Sequence, residues 1–238
     1  MTVKNVILSG IVGSTAYGLA GPDSDVDRLG VYAAPTSQFL GLHPPIGKAA
    51  SIVTTDPDVS FHEALKYVTL AMSMNPTVTE LMWLPDELYE VKTVMGIRLI
   101  EMRDAFLSAR RVKDAYLGYA TQQFHRLWNR ADGSFSADTR KRIAKHARHL
   151  LRLLHQGLDL WATGQLHVRL AEPERYHAFG EAVVEDPETA KTALLTAEDA
   201  FGRVDTVLPD GPNEALIAQW LVDVRRLYLA QEDWHGSA

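Results

Sequence analysis

Three aspartates at alternate positions, Asp23, Asp25 and Asp27, close the stretch GSTAYGLAGPDSDVD that begins at Gly13. On a strand, residues two apart point to one face. Asp25 and Asp27 would then present two carboxylates side by side, and such a pair repels itself unless a cation sits between them. Magnesium prefers carboxylate oxygens and keeps positions open for substrate phosphates. Just upstream, GIVGS reads as a strand that ends in Gly13 and Ser14. Exposed backbone N–H groups at such a turn can cradle phosphate oxygens. Loop and carboxylates fit one ligand, a magnesium-bound triphosphate. The competing reading is a solvated polar turn, the usual setting of aspartate beside glycine and proline. The Gly-Ser pair at this spacing, with strands on both sides, favours the chemical reading. A third carboxylate would complete a site for two metal ions. Asp58 is the first candidate, at the end of a third expected strand; Asp56 and Glu63 are weaker ones.

The elements that must position these groups follow from the hydrophobic pattern. Val6, Ile7, Leu8, Ile11 and Val12 form an apolar run that stops at glycine, a buried strand. SDVDRLGVYAAP reads as a second strand closed by Pro35, and the β-branched ASIVTTDPDVS as a third. From Phe61 the period changes: Phe61, Leu65, Val68 and Met72 recur at helical spacing. NPTVTELMWLP starts a short helix in which Thr77 and Glu80 are spaced as a capping box. Beyond about Gly96 the strand signals fade and long helical segments follow, with Gly164 as a stop for the longest and LPDGPN as a break before the last. The pattern is a mixed strand-helix part over 1–95 and an all-helical part over 96–238.

That longest helical segment is basic. Lys141, Lys145, Arg148 and Arg152 line one face, and Ile143, Ala147, Leu150, Leu154, Leu158 and Trp161 form the apolar stripe. A charged helix face is often only solvated. The functional alternative is a wall where Lys145, Arg148 and Arg152 meet phosphates. Lys66, in the helix after Asp58, is a further phosphate candidate. Tyr17 could stack on a base, although an aromatic after a tight turn commonly packs inward.

Other chemistries drop out. In GLHPPIGKA five residues separate Gly41 from Gly47, and Ala49 stands where a Walker loop needs a hydroxyl. DSDVD lacks the turn glycine of a calcium loop, with Arg28 in its place. His62-Glu63 begins a zinc-protease pattern that Lys66 breaks. The absence of cysteine excludes disulfides, thiolate metal sites and a cysteine nucleophile. The chain has 238 residues, 46% of them apolar, enough for a substantial core. Its net charge of −6 argues against coating nucleic acid by bulk charge. No apolar run is long enough for a membrane span and no signal peptide is evident, so a cytoplasmic location is expected.

GSTAYGLAGPDSDVD resembles the Gly-Ser…Asp-x-Asp signature of the DNA polymerase β-like nucleotidyltransferase superfamily. DVSFHEALKY, NPTVTELMWLP and KHARHLLRLLHQGLDLWATGQLHVRL extend the likeness to its RNA-repair-associated branch, over most of the first 170 residues. The resemblance implies an α+β fold: a polymerase β-like core, a small mixed sheet with flanking helices, followed by a helical C-terminal part. It implies transfer of a nucleoside monophosphate from an NTP to an acceptor hydroxyl, with two Mg2+ or Mn2+ ions and release of pyrophosphate. By position, Gly13 and Ser14 would hold the triphosphate, Asp25 and Asp27 both ions, and Asp58 would be the third carboxylate, which helps activate the hydroxyl. Arg28 departs from the pattern, which usually has an apolar residue there. The branch's name suggests an RNA end as acceptor. A protein side chain, a small molecule, or nucleotide binding without catalysis are the alternatives.

Overall fold

The computed structural model describes residues 3–22, 24–128 and 137–235. In chain order the elements are β1 (Val6–Val12), α1 (Gly13–Tyr17), β2 (Asp27–Tyr32), α2 (Thr36–Phe39), β3 (Ser51–Thr55), β4 (Asp58–Glu63), α3 (Ala64–Met72) and α4 (Pro76–Thr79). They continue with β5 (Tyr89–Lys92), α5 (Val94–Glu101), α6 (Ala109–Trp128), α7 (Ala137–Thr163), α8 (Pro173–Glu185), α9 (Glu188–Arg203) and α10 (Glu214–His235). The fold is α+β: five strands form one mixed sheet in the order β3-β4-β2-β1-β5, and helices follow.

β1 is an interior strand because its run VILSGIV is almost wholly buried. It pairs antiparallel with β2 and β5, while β2 pairs parallel with β4. Gly30 lets the sheet close at this parallel seam: a Cβ there would lie 2.3 Å from the Phe61 ring. Phe61, Tyr32 and Ala34 form a small core against Val6, Phe39, Ile52 and Val59.

Three local expectations change. The stretch 50–60 is a hairpin, not one strand, because Asp56-Pro57 turns the chain between β3 and β4. Asp58 therefore opens β4 and does not end β3. Phe61 belongs to β4, and its helix starts only at Ala64. The apolar residue that seemed to begin a helical period is packed on the sheet instead. Thr77 and Glu80 do not act as a capping box, since Glu80 begins a separate 3-10 turn and its carboxylate accepts the Tyr17 hydroxyl at 2.7 Å. β5 and α8 had no distinct signal. Gly164, with φ 71°, ends α7 as expected.

The chain divides into two compact units. The first takes the residues up to Met72, Thr77–Phe106 and those from Pro212 on; the second takes Ser73–Pro76 and Leu107–Gly211. The sheet and α10 thus share a unit, unlike the simple division near residue 95. Trp220 of α10 donates its indole N–H to the Met95 carbonyl at 3.0 Å, and Arg98 pairs with Asp223 at 2.9 Å. In the second unit α7 is the central helix. Its Ile143, Ala147, Leu150 and Leu154 are buried, Gly157 lies against Tyr116, and Trp161 meets Phe201 edge to face at 5.4 Å. Among the described residues no helix is long and apolar enough to cross a membrane.

Candidate active site at the head of the sheet

β1 ends at Val12, and the chain turns at once into α1 through Gly13. Gly13 has φ 68°, which favours glycine on backbone grounds alone. Its neighbour supplies a second reason. A Cβ on Gly13 would lie 2.0 Å from Oδ2 of Asp27, so the carboxylate rests directly on the bare Cα. The ladder explains the approach: Val12 pairs with Asp27, the first residue of β2. Val12, at the N-cap of α1, makes no side-chain capping hydrogen bond.

The third candidate comes from the next strand. β2 and β4 run parallel with Arg28 opposite Val59 and Leu29 opposite Ser60. The residues one step earlier, Asp27 and Asp58, therefore sit side by side at the heads of their strands. Because faces alternate, Asp27 and Asp58 lie on the same face as Leu29 and Ser60. Asp27 is half-buried and Asp58 exposed. Asp25 is exposed and precedes β2. β1 ends opposite Asp27, so the ladder with β1 does not extend to Asp25. Asp23 lies outside the described residues.

The donors gathered here are carboxylate oxygens, the type that Mg2+ and Mn2+ take. Among the described residues no three acidic or histidine side chains converge closely enough to hold an ion by themselves. Magnesium seldom needs such a cage: one or two carboxylates plus substrate phosphates commonly suffice. Asp27 and Asp58 fit that use.

Glu63 does not belong to this group. It pairs with Tyr32, on the opposite face from Asp58. It is fully buried, with Oε1 2.7 Å from Nη1 of Arg225 and Oε2 accepting the Leu65 N–H at 2.8 Å. This is a structural ion pair that ties α10 to the end of β4. Asp56 sits in the β3–β4 turn. Arg28, the departure from the superfamily pattern, reaches Glu90 of β5 at 2.8 Å, so the sheet accommodates it at its surface.

Lys66 stands elsewhere. The five steps from Asp58 to Glu63 span roughly 16 Å of strand, and Lys66 lies beyond them on α3. Its Nζ donates to the Gly47 carbonyl at 2.8 Å and to Ser51 Oγ at 2.6 Å. Ser51 Oγ in turn lies 2.8 Å from His62 Nδ1. Burial and the Lys66 charge hold His62 below its ordinary value. Lys66 thus anchors the loop before β3. Tyr17 does not offer the expected base-stacking face: only 5% of it is exposed and its hydroxyl is engaged by Glu80, so it is a core residue.

The basic face of α7 belongs to the second unit and changes character along its length. Lys141 and Lys145 are exposed, Arg148 is half-buried and Arg152 is 1% exposed. Arg148 packs against Gly180 of α8, where a Cβ would meet its side chain at 3.1 Å. Arg152 donates from Nη1 to Gln156 Oε1 at 2.5 Å, and its Nη2 lies 3.2 Å from His149. Arg152 is an interior cation and cannot meet a phosphate from solvent as expected. Helical spacing places these residues on one face, but their depth is set by α8, which covers that face near Arg148. Other cations of the helix are spent on neighbours, Arg140 on Glu185 and Arg142 on Asp138.

A family model described as the RNA repair pathway DNA polymerase beta family matches residues 2–193. No curated protein matches the chain.

Proposed function

From the premise that the chain belongs to the RNA repair pathway DNA polymerase beta family, we propose that it transfers a nucleoside monophosphate from an NTP to an acceptor hydroxyl. The observation that carries this reading is the packing of the Asp27 carboxylate on the bare Cα of Gly13, with Asp58 next to it in register. Gly13 and Ser14 offer backbone N–H groups, and Ser14 a hydroxyl, to the triphosphate. Asp27 and Asp58, with Asp25 brought in from the adjoining loop, hold Mg2+ or Mn2+ ions. When bound, two such ions neutralise charge on the attacking and leaving oxygens.

The chain's own part is positioning and charge. The half-buried Asp27 fixes the ligand against the turn. Asp58, exposed at the strand head, accepts the proton of the acceptor hydroxyl. The new bond joins the acceptor oxygen to the α-phosphorus, and the bond to pyrophosphate breaks. No protein nucleophile is needed. The family's description favours an RNA end as acceptor.

The test is label transfer. The protein is incubated with each α-labelled NTP, Mg2+ or Mn2+, and total RNA. The expected result is label on RNA from wild type and a fall of at least about a hundredfold in Asp27→Asn, in line with the loss of a group that stabilises transition-state charge. Label transfer by folded Asp27→Asn equal to wild type would refute the site.

A further inference from the structure

A pocket lies wholly within the helical unit. It is an open cleft of about 600 Å³ between the last turns of α7, the segment 165–172 and the start of α8. That volume is ordinary for a small-molecule site. Leu158 and Leu170 contribute apolar lining. Arg169 and Arg175 are among its lining residues, and Asp159 and Glu172 supply carboxylates. His155 and Tyr176 form one wall: their rings meet edge to face at 5.5 Å, and His155 Nδ1 lies 2.9 Å from the Tyr176 hydroxyl.

The wall segment is built, not merely draped. Leu166, Val168 and Leu170 are buried and alternate with exposed His167 and Arg169. Gln156, itself 3% exposed, donates from Nε2 to the His167 carbonyl at 2.9 Å. The same Gln156 accepts from buried Arg152. An interior polar chain therefore fixes the backbone that presents His167 and Arg169. This gives Arg152 and Gln156 a purpose that the sheet-head site does not use. Burial, then the nearby Arg175 charge, lowers the His155 pKa against an opposing pull from Asp159.

We propose that this pocket binds one nucleotide unit, with the phosphate on Arg169 and Arg175 and the sugar and base over Leu158 and Leu170. The mixed charge selects this class. A bare anion would face two carboxylates, whereas a nucleotide offers them ribose hydroxyls and exocyclic amines as donors. Arginine suits phosphate by its forked donors. The unit could come from a free nucleotide or from the phosphorylated end of a single strand, which share this chemistry. The proposal does not depend on the carboxylate site.

The test uses the full chain in EDTA. Nucleoside monophosphates are titrated calorimetrically, and a labelled 5′-phosphorylated single-stranded oligoribonucleotide by fluorescence anisotropy. The expected result is saturable binding that weakens at least about tenfold in Arg169→Ala/Arg175→Ala, since a hydrogen bond to a charged group carries about that much affinity. Ala171→Trp, a pocket-lining exposed position, should weaken it as much by filling the space. Tighter binding of the oligonucleotide supports a strand end; equal or weaker binding supports a free nucleotide. No binding by wild type overturns the proposal. So does loss in the arginine variant with none in Ala171→Trp, which would mark surface charge alone. Displacement by inorganic phosphate as effective as by the nucleotide would also overturn it. None of these readings changes with the outcome of label transfer, so the two proposals fail separately.

Discussion

His149 shows how a single residue makes this chain sensitive to acid. Burial in the helical unit, then the charge of Arg152 and smaller effects of His146, Lys145 and Arg126, push its pKa from 6.5 down to about 3. In the unfolded chain it regains its ordinary value, so the unfolded state takes up a proton first as pH falls. Stability held above pH 6.5 is then lost progressively as pH drops toward 3. Between pH 7 and pH 5 this one group should remove about 2 kcal/mol. Urea unfolding at the two pH values measures it, and His149→Gln should flatten the difference by a comparable amount. An unchanged pH dependence in that variant would contradict the burial argument. The histidine's position on a basic helix was visible in the sequence; its depth was not. The same holds for Arg152 and Tyr17. Spacing tells which face of a helix a residue takes, but not whether another element covers that face. Gly13 and Asp27 are the opposite case. Their types and spacing announced a carboxylate beside a glycine turn, and the structure puts 2.0 Å between a notional Cβ and that carboxylate.

At the scale of elements, the parallel pairing of β2 with β4 does the positioning. It brings Asp58 beside Asp27, although the sequence reading had Asp58 on the wrong strand of what is a hairpin. The error was one of boundary: β-branched residues on both sides of Asp56-Pro57 read as continuous, and Phe61 happened to fit a helical period. β5 had no signal because a four-residue edge strand carries too little pattern. The far end of β4 is fixed by α10 through Glu63 and Arg225, whose guanidinium also stacks 3.8 Å from the centroid of the Phe39 ring. Nothing in sequence spacing could connect residues 162 positions apart. Removing one partner of a buried pair strands the other charge, at about 3–5 kcal/mol. Arg225→Met should therefore destabilise the protein by about that much in urea unfolding, and Glu63→Gln added to it should restore part of the loss. A cost below about 1 kcal/mol would show that α10 does not brace the sheet.

For the molecule as a whole, the α+β order and the helical C-terminal part were legible, because hydrophobic period switches from two to 3.6 along the chain. The grouping of α10 with the sheet was not, since it depends on long-range packing. The family match ends at residue 193, before α10, yet α10 completes the unit that carries the candidate site. The net charge of −6 is likewise a poor guide to binding. Several cations of α7 are paired within the chain, Arg140 with Glu185, Arg142 with Asp138 and Arg152 with Gln156. The central claim is that Asp27 and Asp58 hold divalent ions for a triphosphate at the Gly13 turn. Electron paramagnetic resonance of Mn2+ titrated into the protein with a non-hydrolysable NTP tests it most directly. Nucleotide-dependent Mn2+ binding in wild type, lost in Asp27→Asn and in Asp58→Asn, is the predicted result; equal Mn2+ occupancy in folded variants and wild type would contradict it.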